Sequence, residues 1–311
     1  MAAPSTQTPL ERSWNLIFYL IVGLIFTFLV APLFVFLPLS FNKEPYFTFS
    51  AGMFDFSRDQ TGLRAGCDVY NSLRWYCEMV TDRDWRTAAL NSFGISIAAT
   101  IIATALGTLA ALGLSRPSMP FRSLIMAVLV TPMIVPLIIS ALSLFAFYSL
   151  PLFELAAPAF LEPYLPAWLL EMKLAKTYPG IVLAHVVLGT PFVVITVTAT
   201  LSAFDSDLIR AAQSLGANFW RTFFTVIMPL IMPGVVSGAL FAFITSFDEV
   251  VVVFFMADTR QVTLPIRMFT GLREQISPTI MAVATLLILL STSLMLVLEM
   301  LRRRSERLRT A

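Results

Sequence analysis

Two adjacent carboxylates, Asp248 and Glu249, follow Ser246 and Phe247 inside an apolar run over about 234–256. An ionised carboxylate is costly in hydrocarbon, so such a pair must face a bundle interior, a water-filled path or a partner helix. The pair lies 14–15 residues beyond Gly234, which on a helix is about 21–23 Å along a core about 30 Å thick. A passing cation would offset the desolvation of a buried carboxylate; helix packing or a partner contact is the competing role. Neighbours on a helix point about 100° apart, so one of the two faces the path and the other supports packing. His185, the sole histidine, lies in the run 180–201, where its ring needs a hydrogen-bond partner within the bundle. Pro191 with Gly189 interrupts that run, and Pro132 and Pro136 interrupt 124–150. Such breaks either flank a solute path or are plain packing kinks.

No chemistry of bond making is legible. The chain has no GxxxxGK[ST] phosphate loop, so any ATP hydrolysis belongs to another chain, and it has no GxSxG elbow or HExxH pair. Cys67 and Cys77 form no CxxC pair and have no histidines beside them, so no metal site is indicated. The expectation is a transport subunit and not an enzyme, with no cofactor of its own and no nucleic-acid partner.

The elements that must position these residues follow from composition. Of 311 residues 58% are hydrophobic and 13% charged, with a mean hydropathy of +0.82, whereas globular chains carry about a quarter charged residues. A soluble domain could not hide that much apolar surface. Six runs reach the roughly 20 apolar residues a span needs, at about 15–41, 92–114, 124–150, 180–201, 234–256 and 279–301. The first is too long for a signal-peptide core. The expected architecture is one all-α transmembrane domain over 1–311. In the second run Ala99, Ala103, Gly107 and Ala111 share one helix face, a spacing that permits close packing.

Basic residues near the span ends set orientation. With the N-terminus inside, the inner segments hold ten basic residues, Arg12, Arg116, Arg122, Arg210, Arg221 and the group Arg302, Arg303, Arg304, Arg307 and Arg309, against four acidic ones. The outer segments 42–91, 151–179 and 257–278 hold 11 basic against 12 acidic residues. Both termini are expected in the cytoplasm. The outer stretch 42–91, with Tyr70, Trp75, Tyr76 and Trp85, is either a small folded cap or a set of interfacial anchors. Cys67 and Cys77 both lie there, on the oxidising side, where a disulfide persists.

The segment 202–233 between the fourth and fifth spans contains DSDLIRAAQSLGANFWRTFFTVIMPLIMP. Ser206 or Asp207 can cap a helix over Leu208–Leu215, Gly216 can end it in a left-handed conformation, and Asn218 can cap a second helix to Pro229. A helix, a glycine break and another helix held at one membrane face suit docking of a partner.

At these residues the chain resembles the permease subunits of binding-protein-dependent ABC importers. Their loop reads Glu-Ala-Ala, three residues, Gly, nine residues, then Ile-x-Leu-Pro. Ala211, Ala212, Gly216 and Pro229 occupy motif positions, Val226 and Met228 are conservative replacements, and Arg210 stands where the family has Glu. Asp207 and Leu215 belong to the same coupling segment. The spermidine and putrescine branch is suggested by Pro38–Asn42, by Asn91–Ser92, by Ser246–Glu249 and by Thr263-Leu264-Pro265.

The resemblance implies a second permease subunit, two ATPase subunits that carry ATP and Mg, a periplasmic substrate-binding protein, and a multi-pass place in the bacterial inner membrane lipid. The implied cargo is a polyamine or related cationic amine moved by alternating access, with Ser246, Asp248 and Glu249 along its path. Opine, phosphonate, iron or sulfate importers carry related permeases. An ion-gradient-driven secondary transporter is a more distant alternative, for which inverted repeats are missing.

Overall fold

The computed structural model describes residues 9–44, 48–50, 53–58, 66–116, 118–151, 173–202, 205, 207–274 and 277–310. Helices account for nearly all of the described chain. In order they are α1 (Pro9–Leu39), a short 3-10 turn (Gly66–Val69), α2 (Arg74–Thr81), α3 (Arg83–Leu114), α4 (Arg122–Ile134) and α5 (Leu137–Ser149). Then come α6 (Tyr178–Ser202), α7 (Asp207–Ser214), α8 (Phe219–Thr222), a π turn (Phe223–Ile227), α9 (Met228–Phe247), α10 (Val251–Met256), α11 (Leu264–Glu274) and α12 (Thr279–Thr310). Two compact units result, 1–82 with 274–289, and 83–273 with 290–311.

In the first unit α1 is apolar and exposed along its length, and it continues through Pro32 and Pro38. Beyond it the chain folds into a small cap. Its centre is Asn42, fully buried, whose carboxamide donates to the Thr48 carbonyl at 2.7 Å and accepts from Ser50 Oγ at 2.6 Å. The Trp75 indole N–H donates to the Asn42 carbonyl at 2.7 Å, and Ser40 Oγ bonds Tyr76 Oη at 2.7 Å. Phe41 packs its ring on Phe54, Phe56 and Tyr76. A disulfide joins Cys67 to Cys77, with the Cα atoms 5.5 Å apart. The Pro38–Asn42 ending of the first span is thus the foundation of the cap, and Trp75 is a buried core residue here. Of the two readings open for 42–91, the contacts among the described residues up to α2 favour a folded cap, while 83–91 belongs to α3.

The second unit is built on α3, α6 and α9. The stripe on α3 is buried, with Ala99, Ala103 and Ala111 at 1% exposure or less. A Cβ built on Gly107 would lie 2.6 Å from Val193 Cβ, and one on Gly189 would lie 3.2 Å from Ala242 Cβ and 3.6 Å from Ala103 Cβ. On α9 a Cβ at Gly238 would meet Thr196 Oγ1 at 2.5 Å and Val193 Cα at 2.8 Å, and one at Gly234 would meet Thr200 Oγ1. The three helices therefore approach at distances only small residues allow. On α6 the hydroxyls of Thr190, Thr196 and Thr200 donate back to carbonyls one turn earlier.

Among the described residues five helices are long and apolar enough to cross a membrane, or six if α4 and α5 form one broken span. The expected span 124–150 is this pair, bent by 104° where Val135 and Pro136 are extended. The expected run 92–114 begins nine residues earlier, because helix hydrogen bonding continues through the polar turns 83–91 where hydropathy falls. The expected interruption of 180–201 at Pro191 is absent: α6 runs unbroken from Tyr178 to Ser202. Close neighbours hold the helix in register past the hydrogen bond that proline lacks. The single span expected over 234–256 is two helices, α9 and α10, parted at Asp248–Val250.

Two outcomes are expected. Gly238→Val should destabilise the protein by about 1–3 kcal/mol through overpacking, whereas Gly113→Ala, with nothing within 4 Å of its Cβ, should be neutral or better. Thermal unfolding midpoints of the purified protein distinguish them, and equal midpoints would contradict the close packing. Protein alkylated without reduction should carry no label on Cys67 or Cys77 by mass spectrometry; labelling of both would exclude the bond.

Candidate functional site

In the segment expected to dock a partner, the Asp205 carboxylate accepts from the Asp207 N–H at 2.8 Å. Asp207 lies inside α7 and pairs with Arg210, while Ser206 lies outside the described residues. Asp207, one of the two expected caps, is instead inside the helix, and Asp205 accepts from its N–H. Arg210 is committed to Asp207 on an exposed surface, a pairing worth little stability. At the other end the Gly216 N–H donates to Gln213 O at 2.9 Å and the Ala217 N–H to Ala212 O at 3.0 Å. With Gly216 at φ +81, this is the left-handed Schellman ending that closes orphan carbonyls of a helix.

Asn218 then caps α8, accepting from the Arg221 N–H at 2.8 Å. The second helix does not stop at Pro229. The Met228 N–H reaches back five residues to Phe223 O, and the wide π turn admits Pro229 into the first turn of α9. Apart from that turn the chain is helical from Phe219 to Phe247 without a gap. Leu215 is 89% exposed, and Phe219, Trp220 and Phe224 are exposed with it. Ala211 is exposed and Ala212 half-buried. This apolar surface, too large for a solvated loop, suits a protein partner.

At the far end of the same run the helix breaks at the acidic pair. The Asp248 N–H closes α9 on Ile244 O, and the Asp248 side chain is exposed. Glu249 is buried at 6% exposure and accepts from the Val252 N–H at 2.9 Å, so it caps α10. Neither carboxylate has a cationic partner among the described residues. The two side chains differ in exposure at a helix break, and not as two faces of one continuous helix. Ser246 is buried and shares a 2.7 Å hydrogen bond with His185 Nδ1, so this side chain is committed to the bundle. The Phe247 ring packs on Phe93 at 5.0 Å between centroids. Among the described residues no group of His, Cys, Asp or Glu could hold a metal ion.

Sequence reasoning named Asn91, Ser92 and Thr263–Pro265 without a role. The structure brings them together: the Asn91 carboxamide donates to Arg260 O and Val262 O, both at 2.9 Å, and Ser92 Oγ accepts from the Leu264 N–H at 2.8 Å. Only their polarity beside apolar runs could have signalled this.

Residues 103–307 match the family described as binding-protein-dependent transport system inner membrane component. The chain belongs to that family. This importer permease is 32% identical over 286 residues to the putrescine transport system permease protein PotI of Escherichia coli strain K12, covering 90% of this chain and 88% of that one. It is 27% identical to the spermidine/putrescine transport system permease protein PotC of Haemophilus influenzae, covering 91% and 95%. The molybdenum transport system permease protein ModB of Escherichia coli is 31% identical over 171 residues, 55% of this chain and 71% of that one. A solved bacterial ABC transporter involved in the import of the acidic polysaccharide alginate shares the fold at a TM-score of 0.65 and 13% identity, covering 94% of this chain and 98% of the other. The family and the apolar helices together make the chain a multi-pass inner-membrane transport component.

In this permease Gly216→Val should leave the chain in the membrane but abolish uptake and weaken retention of the ATPase on purification. Nothing stands within 4 Å of a Cβ there, so the effect comes from the positive φ, which costs an L residue about 1–2 kcal/mol. Gly216→Asn, tolerant of that conformation, should retain most function. Equal retention of the ATPase by the Val variant would remove the segment's role.

Proposed function

We propose that this chain is one permease subunit of an ATP-driven importer that carries a polyamine or a related small cationic amine inward across the bacterial inner membrane. It has six spans, counting α4 and α5 as one, with both termini in the cytoplasm. A second permease subunit completes the path, two ATPase subunits dock on 202–233, and a periplasmic binding protein delivers the amine.

The observation that carries this reading is the helical run from Phe219 to Phe247, which starts at the exposed docking surface and ends at an acidic break. Movement imposed on one end of a packed helix reaches the other, which is how closure of ATPases can switch access at a distant site. At that end Asp248 is exposed and has no cation beside it among the described residues, so an ammonium group can approach it. Glu249 is turned inward to cap α10. The division of labour gives Asp248 the solute and Glu249 the shape of the break. The polyamine relatives support the solute class, since they match over most of the chain.

Uptake assays at matched expression test this across a range of putrescine and spermidine concentrations. Asp248→Asn should raise the concentration needed for half-maximal uptake several-fold, because a neutral amide no longer offsets the charge of the amine. Glu249→Gln should chiefly lower the amount of functional complex, since it weakens a buried cap by about 1 kcal/mol. Unchanged concentration dependence in both variants, or uptake of anionic solutes only, would overturn the cation site.

A further inference from the structure

The acidic break is held from both sides, by α6 and by the residues that lead into it. On the upstream side Ser246, two residues before Asp248, is bonded to His185. On the downstream side α10 starts at the Glu249 cap and ends at Met256, whose carbonyl accepts from the Lys176 N–H at 3.1 Å. Beyond it the link to α11 is pinned repeatedly. Gln261 donates to Lys176 O at 2.9 Å, and its Oε1 accepts from the Asp258 N–H at 2.8 Å. Tyr178 Oη lies 2.9 Å from Arg260 O and 3.0 Å from Asn91 Oδ1, so its one proton is shared between these two acceptors.

Asn91 is the centre of this clamp. Its carboxamide is buried at 8% exposure and uses both kinds of group: Nδ2 serves the Arg260 and Val262 carbonyls, and Oδ1 serves Tyr178. Two backbone carbonyls converging on one NH₂ group cannot be satisfied by an apolar or acidic side chain of the same size. Asn91 and Arg260 are 169 residues apart in sequence, so this is a tertiary tie and not a turn.

We infer that Asn91 is a positioning residue for transport: it fixes the segment 258–264 on α3, so that α10, and with it the Asp248–Glu249 break, keeps its place while access switches. Loosening the clamp leaves the docking surface and the α3–α6–α9 packing intact but lets the break drift, so ATP is hydrolysed with less amine moved. This inference rests on the proposed importer function.

The test uses the complete importer with its ATPases, partner permease and binding protein, in lipid. Asn91→Asp keeps the volume and turns the double donor into an acceptor facing two carbonyls; Tyr178→Phe removes one hydroxyl as a milder second variant. Amide hydrogen exchange over 258–264 should quicken in both, more in Asn91→Asp. The amine moved per ATP hydrolysed should fall on the order of tenfold in Asn91→Asp, within the usual range of coupling between sites, with ATP hydrolysis stimulated by loaded binding protein kept within about twofold. Unchanged exchange, or quickened exchange with an unchanged ratio, would overturn the inference. So would a loss of complex and of hydrolysis in proportion to uptake for both variants, which marks a merely structural residue. A wild-type complex that moves no cationic amine would instead overturn the proposed function, while the exchange comparison would still read the clamp directly.

Discussion

The closeness of α3, α6 and α9 is the constraint on which the rest of the second unit depends. In hydrocarbon there is no hydrophobic gain from joining helices, so contact must come from packing and from hydrogen bonds that short distances permit. Gly107, Gly189, Gly234 and Gly238 allow Val193, Thr196, Thr200 and Ala242 to sit against backbone. The same approach brings His185 within 2.7 Å of Ser246, a bond worth about 1–2 kcal/mol at most between membrane helices. A large side chain at any of these glycines would part the helices, and that bond would open with them.

Proline acts differently according to what surrounds it. At Pro191 the helix passes through unbroken, and at Pro229 a single π turn takes up the strain. At Val135–Pro136 the chain turns by 104°. Both α6 and α9 lie in the packed core, whereas α4 has no fully buried side chain. Burial alone does not decide the outcome, because the exposed α1 also continues through Pro32 and Pro38; at Pro136 it is the extended conformation of Val135, the residue before the proline, that ends α4. The break at Asp248–Val250 has no proline at all. There the Glu249 carboxylate accepts from the Val252 N–H, which a continuous helix would give to a backbone carbonyl.

The two ends of the Phe219–Phe247 run have opposite chemistry. One exposes Leu215, Phe219, Trp220 and Phe224, an apolar surface that favours a protein partner. The other exposes one carboxylate, which favours a cation. Capping by Asp205, Asn218 and Glu249 sets where each helix begins, so the geometry of both ends rests on side chains that hydrogen-bond their own backbone. The described residues of the cap gather around buried Asn42 and Trp75.

Local features were legible in the sequence because their physics is local. Apolar runs long enough to span a bilayer, the Gly216 ending with its positive φ, the Asn218 cap and the small-residue face of α3 each depend on residues within a few positions of one another. Spacing also sufficed to recognise the importer loop and hence the family. What only the tertiary structure decided were contacts between distant residues: Asn91 with Arg260 and Val262, Ser92 with Leu264, and His185 with Ser246. The break at Asp248 was missed for a related reason. Hydropathy averages over a stretch, and 234–256 is apolar on average despite its acidic pair, but whether its helix continues depends on which acceptor each backbone N–H finds once the chain is packed.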